Sequence, residues 1–232
     1  MSAGGEQMEK IMQKCVLFRG LKENELAYAV DFFHGRKKHF ARGETLHTPG
    51  NRMKQFGLVL SGNIQVSMDD FDGNHMIMAS VTPGITFGES LCYLGTKANV
   101  SVHSVEESDV LMMDTEALKD SSGIRNEQDM ELCRRFTAML AQRALAMNDR
   151  IQILSKTTIR EKVITLLSQY TGRSGSPLIV LPFSREAMAT YLGVNQSALS
   201  RELSAMQKEG IIRFHGNEFT IVTSSGPDPA DM

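Results

Sequence analysis

Phe183-Ser-Arg-Glu-Ala-Met-Ala-Thr-Tyr-Leu-Gly-Val-Asn-Gln-Ser-Ala-Leu-Ser-Arg-Glu-Leu-Ser-Ala-Met-Gln-Lys-Glu-Gly-Ile-Ile-Arg-Phe-His-Gly-Asn-Glu-Phe-Thr-Ile-Val222 reads as two short helices followed by a hairpin. Ser184 is a good N-cap, because its hydroxyl accepts from a free N–H of the first turn. Ala187, Met188, Tyr191 and Leu192 turn one apolar face inward, and Gly193 breaks the helix. Val194 packs the turn, and Asn195 is the next N-cap. Leu199, Leu203 and Met206 recur at helical spacing and form the buried face of a second helix. Two short helices joined by a Gly-containing turn make a helix-turn-helix. Ile211 to His215 and Glu218 to Val222 are apolar runs around Gly216-Asn217, which predicts a tight hairpin, a wing beside the second helix.

Burying one face of the second helix fixes the other. Ser197, Ser200, Arg201 and Ser204 share the outward face, with Gln196 at the edge of its first turn. In this motif the N-terminal residues of the second helix meet base edges in the major groove. Arg pairs bidentately with guanine and Gln with adenine, while short serines reach bases or phosphates. Helix N-termini at Ser184 and Asn195 present free N–H groups to phosphate, and His215 stands at the wing tip. An ordinary helical hairpin explains the apolar spacing. It does not explain an outward face almost free of acidic residues.

Upstream, residues 126–154 contain no Gly or Pro. Cys133, Leu140, Met147 and Leu154 recur every seven residues, interleaved with Met130, Thr137, Ala144 and Ile151. This a/d seam predicts a long helix paired with a second copy, the small Thr137 and Ala144 favouring close approach. Packing of the helix on its own barrel is the alternative. Ile159, Val163, Leu166 and Leu167 give another helical stripe, 172–177 a loop, and Leu178 to Pro182 a short strand. Nearer the start, Phe56–Leu60, Ile64–Met68, Met76–Val81, Val100–Val105 and Val110–Met113 alternate with glycine turns, Asp70-Phe-Asp-Gly73 among them. Short strands at that spacing imply an all-β sandwich or barrel.

The 232 residues carry 25 Lys and Arg against 27 Asp and Glu, a net charge of −2 that by itself argues against nucleic acid. The average conceals two parts. Residues 156–222 hold eight cationic and five anionic side chains, +3, and the rest 17 and 22, −5. Three cysteines are too few for a disulfide scaffold. No apolar run reaches the ~18 residues of a membrane span. Met1 to Lys14 lacks the apolar core of a secretory signal. The cytoplasm is the expected compartment.

These motifs together resemble the cyclic AMP receptor protein/FNR family of bacterial transcription regulators. Leu17-Phe-Arg-Gly-Leu21 is similar to its opening helix. Arg42-Gly-Glu44, Gly50, Leu58-Val-Leu-Ser-Gly62 and Pro83-Gly-Ile-Thr-Phe-Gly-Glu89 are similar to its sensor. Ser184-Arg-Glu, Ser200-Arg-Glu, Gly210-Ile-Ile and His215-Gly216 are similar to its winged helix. The resemblance implies an α+β fold: a double-stranded β-helix (jelly-roll) sensor over 1–125, a dimerisation helix over 126–154 and a winged helix over 155–222; the small, polar residues 223–232, with two prolines, are an expected disordered tail. It makes Arg201 the guanine reader and places Ser184, Arg185, Asn195 and His215 at phosphates. It also implies a homodimer on palindromic double-stranded DNA, a small-molecule effector, RNA polymerase as a partner and no membrane. The family often has glutamate where Ser197 stands, so its usual half-site does not carry over.

In the sensor the resemblance weakens. By resemblance the effector meets Gly88, Glu89, Ser90 and Asn99, with Met147 and Asn148 from the long helix. The family's phosphate cassette follows Gly-Glu with Arg-Ser some ten residues on, and this chain has Ala98-Asn99 there. No arginine lies between Arg52 and Arg125, and Lys97 is a point charge, not a fork. The expectation is an uncharged or aromatic effector other than cyclic AMP. Cys15, Cys92 and Cys133 are too dispersed for an iron–sulfur cluster. His34, His39, His47, His75 and His103 leave haem open, and a thiol at Cys92 has no visible activator. The sequence names no cofactor. A cupin-like enzyme needs a His-x-His then Glu spacing that is absent. The rival reading is a sensor whose winged helix contacts protein.

Overall fold

The computed structural model describes residues 3–69, 75–119 and 123–222. The Asp70–Gly73 turn and the 223–232 tail lie outside the described residues. The chain forms two compact units, residues 1–142 and 143–232. Among the described residues no helix is long and apolar enough to cross a membrane.

The first unit opens with α1 (Ala3–Met12) and α2 (Glu23–Phe32). Leu17–Leu21 is a run of turns joining them, not a helix, closed by bonds such as Phe18 N–H to the Cys15 carbonyl. Eight strands follow: β1 (Arg36–Phe40), β2 (Thr45–His47), β3 (Phe56–Ser61), β4 (Ile64–Asp69), β5 (His75–Val81), β6 (Thr86–Phe87), β7 (Ser101–Ser104) and β8 (Ser108–Met113). They make two four-stranded antiparallel sheets, β1-β8-β3-β6 and β2-β7-β4-β5, which is the predicted jelly-roll. Helices α3 (Glu89–Leu94) and α4 (Glu116–Lys119) interrupt and follow them.

The continuous apolar run of β3 has a cause. Its side chains alternate between two cores. Phe56, Leu58 and Leu60 enter a core with Phe18, Phe33, Leu132, Phe136 and Met139, while Val59 enters the barrel interior with Phe40, Ile64, Phe87 and Val102. Strand β8 divides likewise, Leu111 and Met113 to the first and Val110 and Met112 to the second. Phe33, Phe56 and Phe136 lie 5.9–6.1 Å apart, centre to centre, with Phe33–Phe56 and Phe56–Phe136 edge to face. Leu132, Phe136 and Met139 belong to α5 (Glu127–Leu154), the predicted long helix. Asn126 Oδ1 accepts from Asp129 N–H at its start.

The second unit holds the end of α5, then α6 (Ile159–Ser174), β9 (Leu178–Val180), α7 (Arg185–Leu192), α8 (Gln196–Lys208), β10 (Ile212–His215) and β11 (Glu218–Ile221). Thr158 and Glu161 form a reciprocal capping box at the start of α6. Helix α6 runs through Gly172, which sequence reading places in a loop, and ends at Gly175. The strands form one sheet, β10-β11-β9. One core takes in Val163, Leu166 and Leu167 of α6, Met188 and Leu192 of α7, Leu199, Leu203 and Met206 of α8, and Phe219. Ala187, expected inward, is exposed; its neighbour Ala189 is buried instead.

Candidate nucleic-acid interface and sensor site

Ser184 caps α7 by accepting from Ala187 N–H at 3.1 Å. Gly193 ends that helix at φ 63°, a left-handed conformation that costs a side-chain-bearing residue. Asn195 then caps α8, its Oδ1 accepting from Ser197 N–H at 2.9 Å and Ala198 N–H at 3.3 Å. With Leu199, Leu203 and Met206 fully buried, Gln196, Ser197, Ser200, Arg201 and Ser204 stand exposed on the other side. Ser200, Arg201, Ser204 and Lys208 ring one shallow depression. The first turn of α8 has no acidic residue. These side chains can donate in a row to an electron-rich surface, and the geometry assembles them as sequence reading predicts.

The wing is the predicted two-residue hairpin. Phe214 pairs with Phe219 and His215 with Glu218 across the Gly216-Asn217 turn, and His215 is exposed. Arg185 is placed otherwise. Its guanidinium lies 5.1 Å from the Phe214 ring centre and 5.3 Å from that of Phe219. It donates to the Gly216 carbonyl at 2.9 Å. Burial pushes it below the usual arginine value. Sequence reading missed this commitment because the partners lie some thirty residues further on.

In the sensor, Gly88 sits at φ 82° directly before α3, a backbone conformation that favours glycine, and a Cβ there would stand 2.2 Å from Met53 Sδ. Glu89 follows, buried, and Ser90 and Asn99 are exposed. Met147, 66% exposed, and Asn148 belong to the second compact unit, so the expected effector set is not assembled within one unit. A cation missed in sequence stands near the cassette. Arg52 bridges backbone to backbone with Lys97, and both side chains are exposed. No local pattern marks a residue 45 positions away in the chain.

Of the other candidates, His34, His39 and Cys92 have partners of their own. His34 lies 3.1 Å from Asp114 and His39 3.0 Å from Asp109. Burial pushes His47 below its ordinary value. Cys92 Sγ lies 3.2 Å from the Lys54 carbonyl and 3.5 Å from Thr115 Oγ1, and burial pushes its thiol up, away from reactivity.

Residues 37–121 match the cyclic nucleotide-binding domain family, and residues 161–224 the Crp-like helix-turn-helix domain family. The chain is similar to the CRP-like cAMP-activated global transcriptional regulator of Mycobacterium tuberculosis, 24% identical over 94% of this chain and 96% of that one. It is similar to the fumarate nitrate reduction regulatory protein of Klebsiella oxytoca, 28% identical over 92% and 85%. The solved structure of a regulatory protein from Silicibacter pomeroyi DSS-3 shares its fold, with a TM-score of 0.52 at 21% identity over 94% and 95%. Such homologues are DNA-binding transcription regulators with effector sensing, not enzymes. With a match to the cyclic nucleotide-binding domain and another to the Crp-like helix-turn-helix in one chain, the protein is homologous to the CRP/FNR family regulators.

Proposed function

We propose that the protein is a dimeric, sequence-specific DNA-binding regulator of transcription whose affinity is set by a small effector other than cyclic AMP. The observation that carries this reading is the exposed side of α8, capped by Asn195, with no acidic residue in its first turn and with Gln196, Ser197, Ser200 and Arg201 opposite a fully packed face. Arg201 reads guanine and Gln196 adenine. Ser184, Asn195 and His215 hold phosphates.

Dimerisation is supported by the other face of α5. Met130, Met147, Ile151 and Leu154 are exposed at a/d spacing, and a second copy of the helix covers such a stripe. A dimer of this kind binds a palindrome with half-sites about one helical turn apart. RNA polymerase is the partner through which bound protein acts. The division of labour is sensor 1–125, seam 126–154 and reader 155–222.

Against cyclic AMP stands the character of the buried charge. The buried charged residues described in the first unit are Glu89 and Asp129, both acidic. A cyclic phosphate wants a forked cation in a low-dielectric pocket, and Arg52 and Lys97 lie at the surface. An uncharged or aromatic effector fits the methionine-rich surroundings better. It shifts populations between two dimer arrangements through the short connection from Leu154 to Thr158. Isothermal titration of the full chain with cyclic AMP tests the effector class. No heat below millimolar concentration supports the reading, and sub-micromolar affinity overturns it. A steep loss of DNA affinity with added salt tests the DNA reading against protein contact.

A further inference from the structure

We infer that Arg185 is the wing-positioning residue of the second unit and not a ligand of the DNA backbone, an assignment that rests on reading this unit as a DNA reader. Arg185 is the first residue of α7, the helix before the one read as the recognition helix. Its guanidinium lies against two rings that are themselves a cross-strand pair, Phe214 on β10 and Phe219 on β11, stacked 5.5 Å apart with planes 23° from parallel. One terminal nitrogen donates to the Gly216 carbonyl in the hairpin turn at 2.9 Å, and the other approaches Met188 Sδ at 3.5 Å. Rings, turn and helix are thus joined by one planar cation. In this placement the guanidinium face and two of its five N–H donors are committed to the wing and to α7.

The hairpin needs such a fastening. Strand β10 is the edge of a three-stranded sheet, and among the described residues its only ladder runs to β11. In the turn itself, Asn217 Nδ2 donates to the Leu181 carbonyl at 2.9 Å, and Leu181 N–H donates to the Asn217 carbonyl at 2.9 Å. These bonds hold the Asn217 side of the turn, and Arg185 holds its Gly216 side together with the Phe214 ring of β10. Lysine cannot replace it. An ammonium is a point charge without the plane that covers two rings or the fork that reaches two acceptors.

The test uses the full chain and the variants R185A, R185K and F214L. The DNA probe is a duplex recovered by the wild-type protein from a randomised pool. Hydrogen exchange is first read without DNA. All three variants are expected to speed exchange of wing amides over residues 212–221 by about tenfold, leaving α8 unchanged. On the duplex, R185K is expected to bind as weakly as R185A, about tenfold below wild type, with the wild-type salt slope. F214L, which keeps the charge, also weakens binding. A phosphate ligand predicts instead that R185K and F214L bind like wild type and that R185A lowers the salt slope by about 0.9 per copy. Either that pattern or unchanged wing exchange in R185A overturns the assignment. If the wild type recovers no duplex, the DNA reading fails, and the exchange measurement still decides the clamp.

Discussion

Arg160 Nε lies 2.7 Å from Glu202 Oε1, so the only acidic residue within α8 is held by α6. The same guanidinium grips Glu209, the C-cap of α8, with two bonds of 2.7 and 2.9 Å. The recognition helix is therefore fixed at its middle and its end by one residue at the start of α6. Exposed ion pairs contribute little to stability, so the expected effect is on aim. Arg160→Gln should weaken DNA binding by roughly two- to fivefold without changing base preference. Binding titrations on matched and single-substituted duplexes check this; a changed base preference contradicts it.

Arg201 has a different task. Arg201→Ala should cost about 1–3 kcal/mol on the preferred site and relax discrimination at one base pair of each half-site. Footprinting as sharp as wild type would place the recognition surface elsewhere.

Asn195 works through the helix itself. Its Oδ1 satisfies two N–H groups that α8 otherwise leaves open. Asn195→Ala should lower the stability of the second unit by about 0.5–2 kcal/mol, and Asn195→Ser should restore most of it. Thermal unfolding of the three proteins gives the answer.

Tyr28 fastens the start of the long helix. Its O–H donates to Asp129 Oδ1 at 2.7 Å, and Arg125 N–H donates to Oδ2 at 2.8 Å. Burial pushes the Asp129 carboxyl up, but these donors outweigh it and hold it below the usual carboxylate range. A carboxyl depressed in the folded state adds stability at neutral pH. That stability is lost as pH falls below the unfolded value, about 3.9, and through the folded one. Tyr28→Phe removes a donor to a charged group. It should cost about 1.5–3 kcal/mol at neutral pH and flatten the acid limb of the stability curve. Urea unfolding across the acid range measures both.

The seam on α5 predicts an asymmetry between two exposed apolar residues. Met147 lies on the a/d stripe and Leu145 does not, although they are 66% and 62% exposed. Met147→Asp should convert a dimer to monomers in sedimentation, and Leu145→Asp should leave the dimer intact. The reverse result would move the interface to the other face of the helix.

Much of this was legible from local pattern. The caps at Ser184 and Asn195, the buried faces of α8 and α6, the Gly216-Asn217 hairpin and the long helix all follow from spacing within one element. Strand β1, Arg36-Lys-Lys-His-Phe40, was not legible. Only Phe40 is buried, and the strand exists through its pairing with β8, some seventy residues on. Arg52 beside Lys97 and Arg185 against Phe214 and Phe219 were hidden for the same reason, since the fold brings together what the chain separates. Leu17–Leu21 misled in the opposite way. Its apolar residues are buried, and the backbone there turns instead of coiling. The sensor was the least legible part, because Gly88 and Glu89 fix a turn without naming what lies against it.

In the proposed function, two copies of α8 read a two-fold symmetric site. The most direct test is selection of duplexes from a randomised pool by the full-length protein, followed by sequencing. The expected outcome is an enriched palindrome with half-site centres about 10 base pairs apart, relaxed at one base pair of each half-site when Arg201 is replaced by alanine. Recovery of no enriched sequence, or of a single unrepeated half-site bound by a monomer, would contradict it.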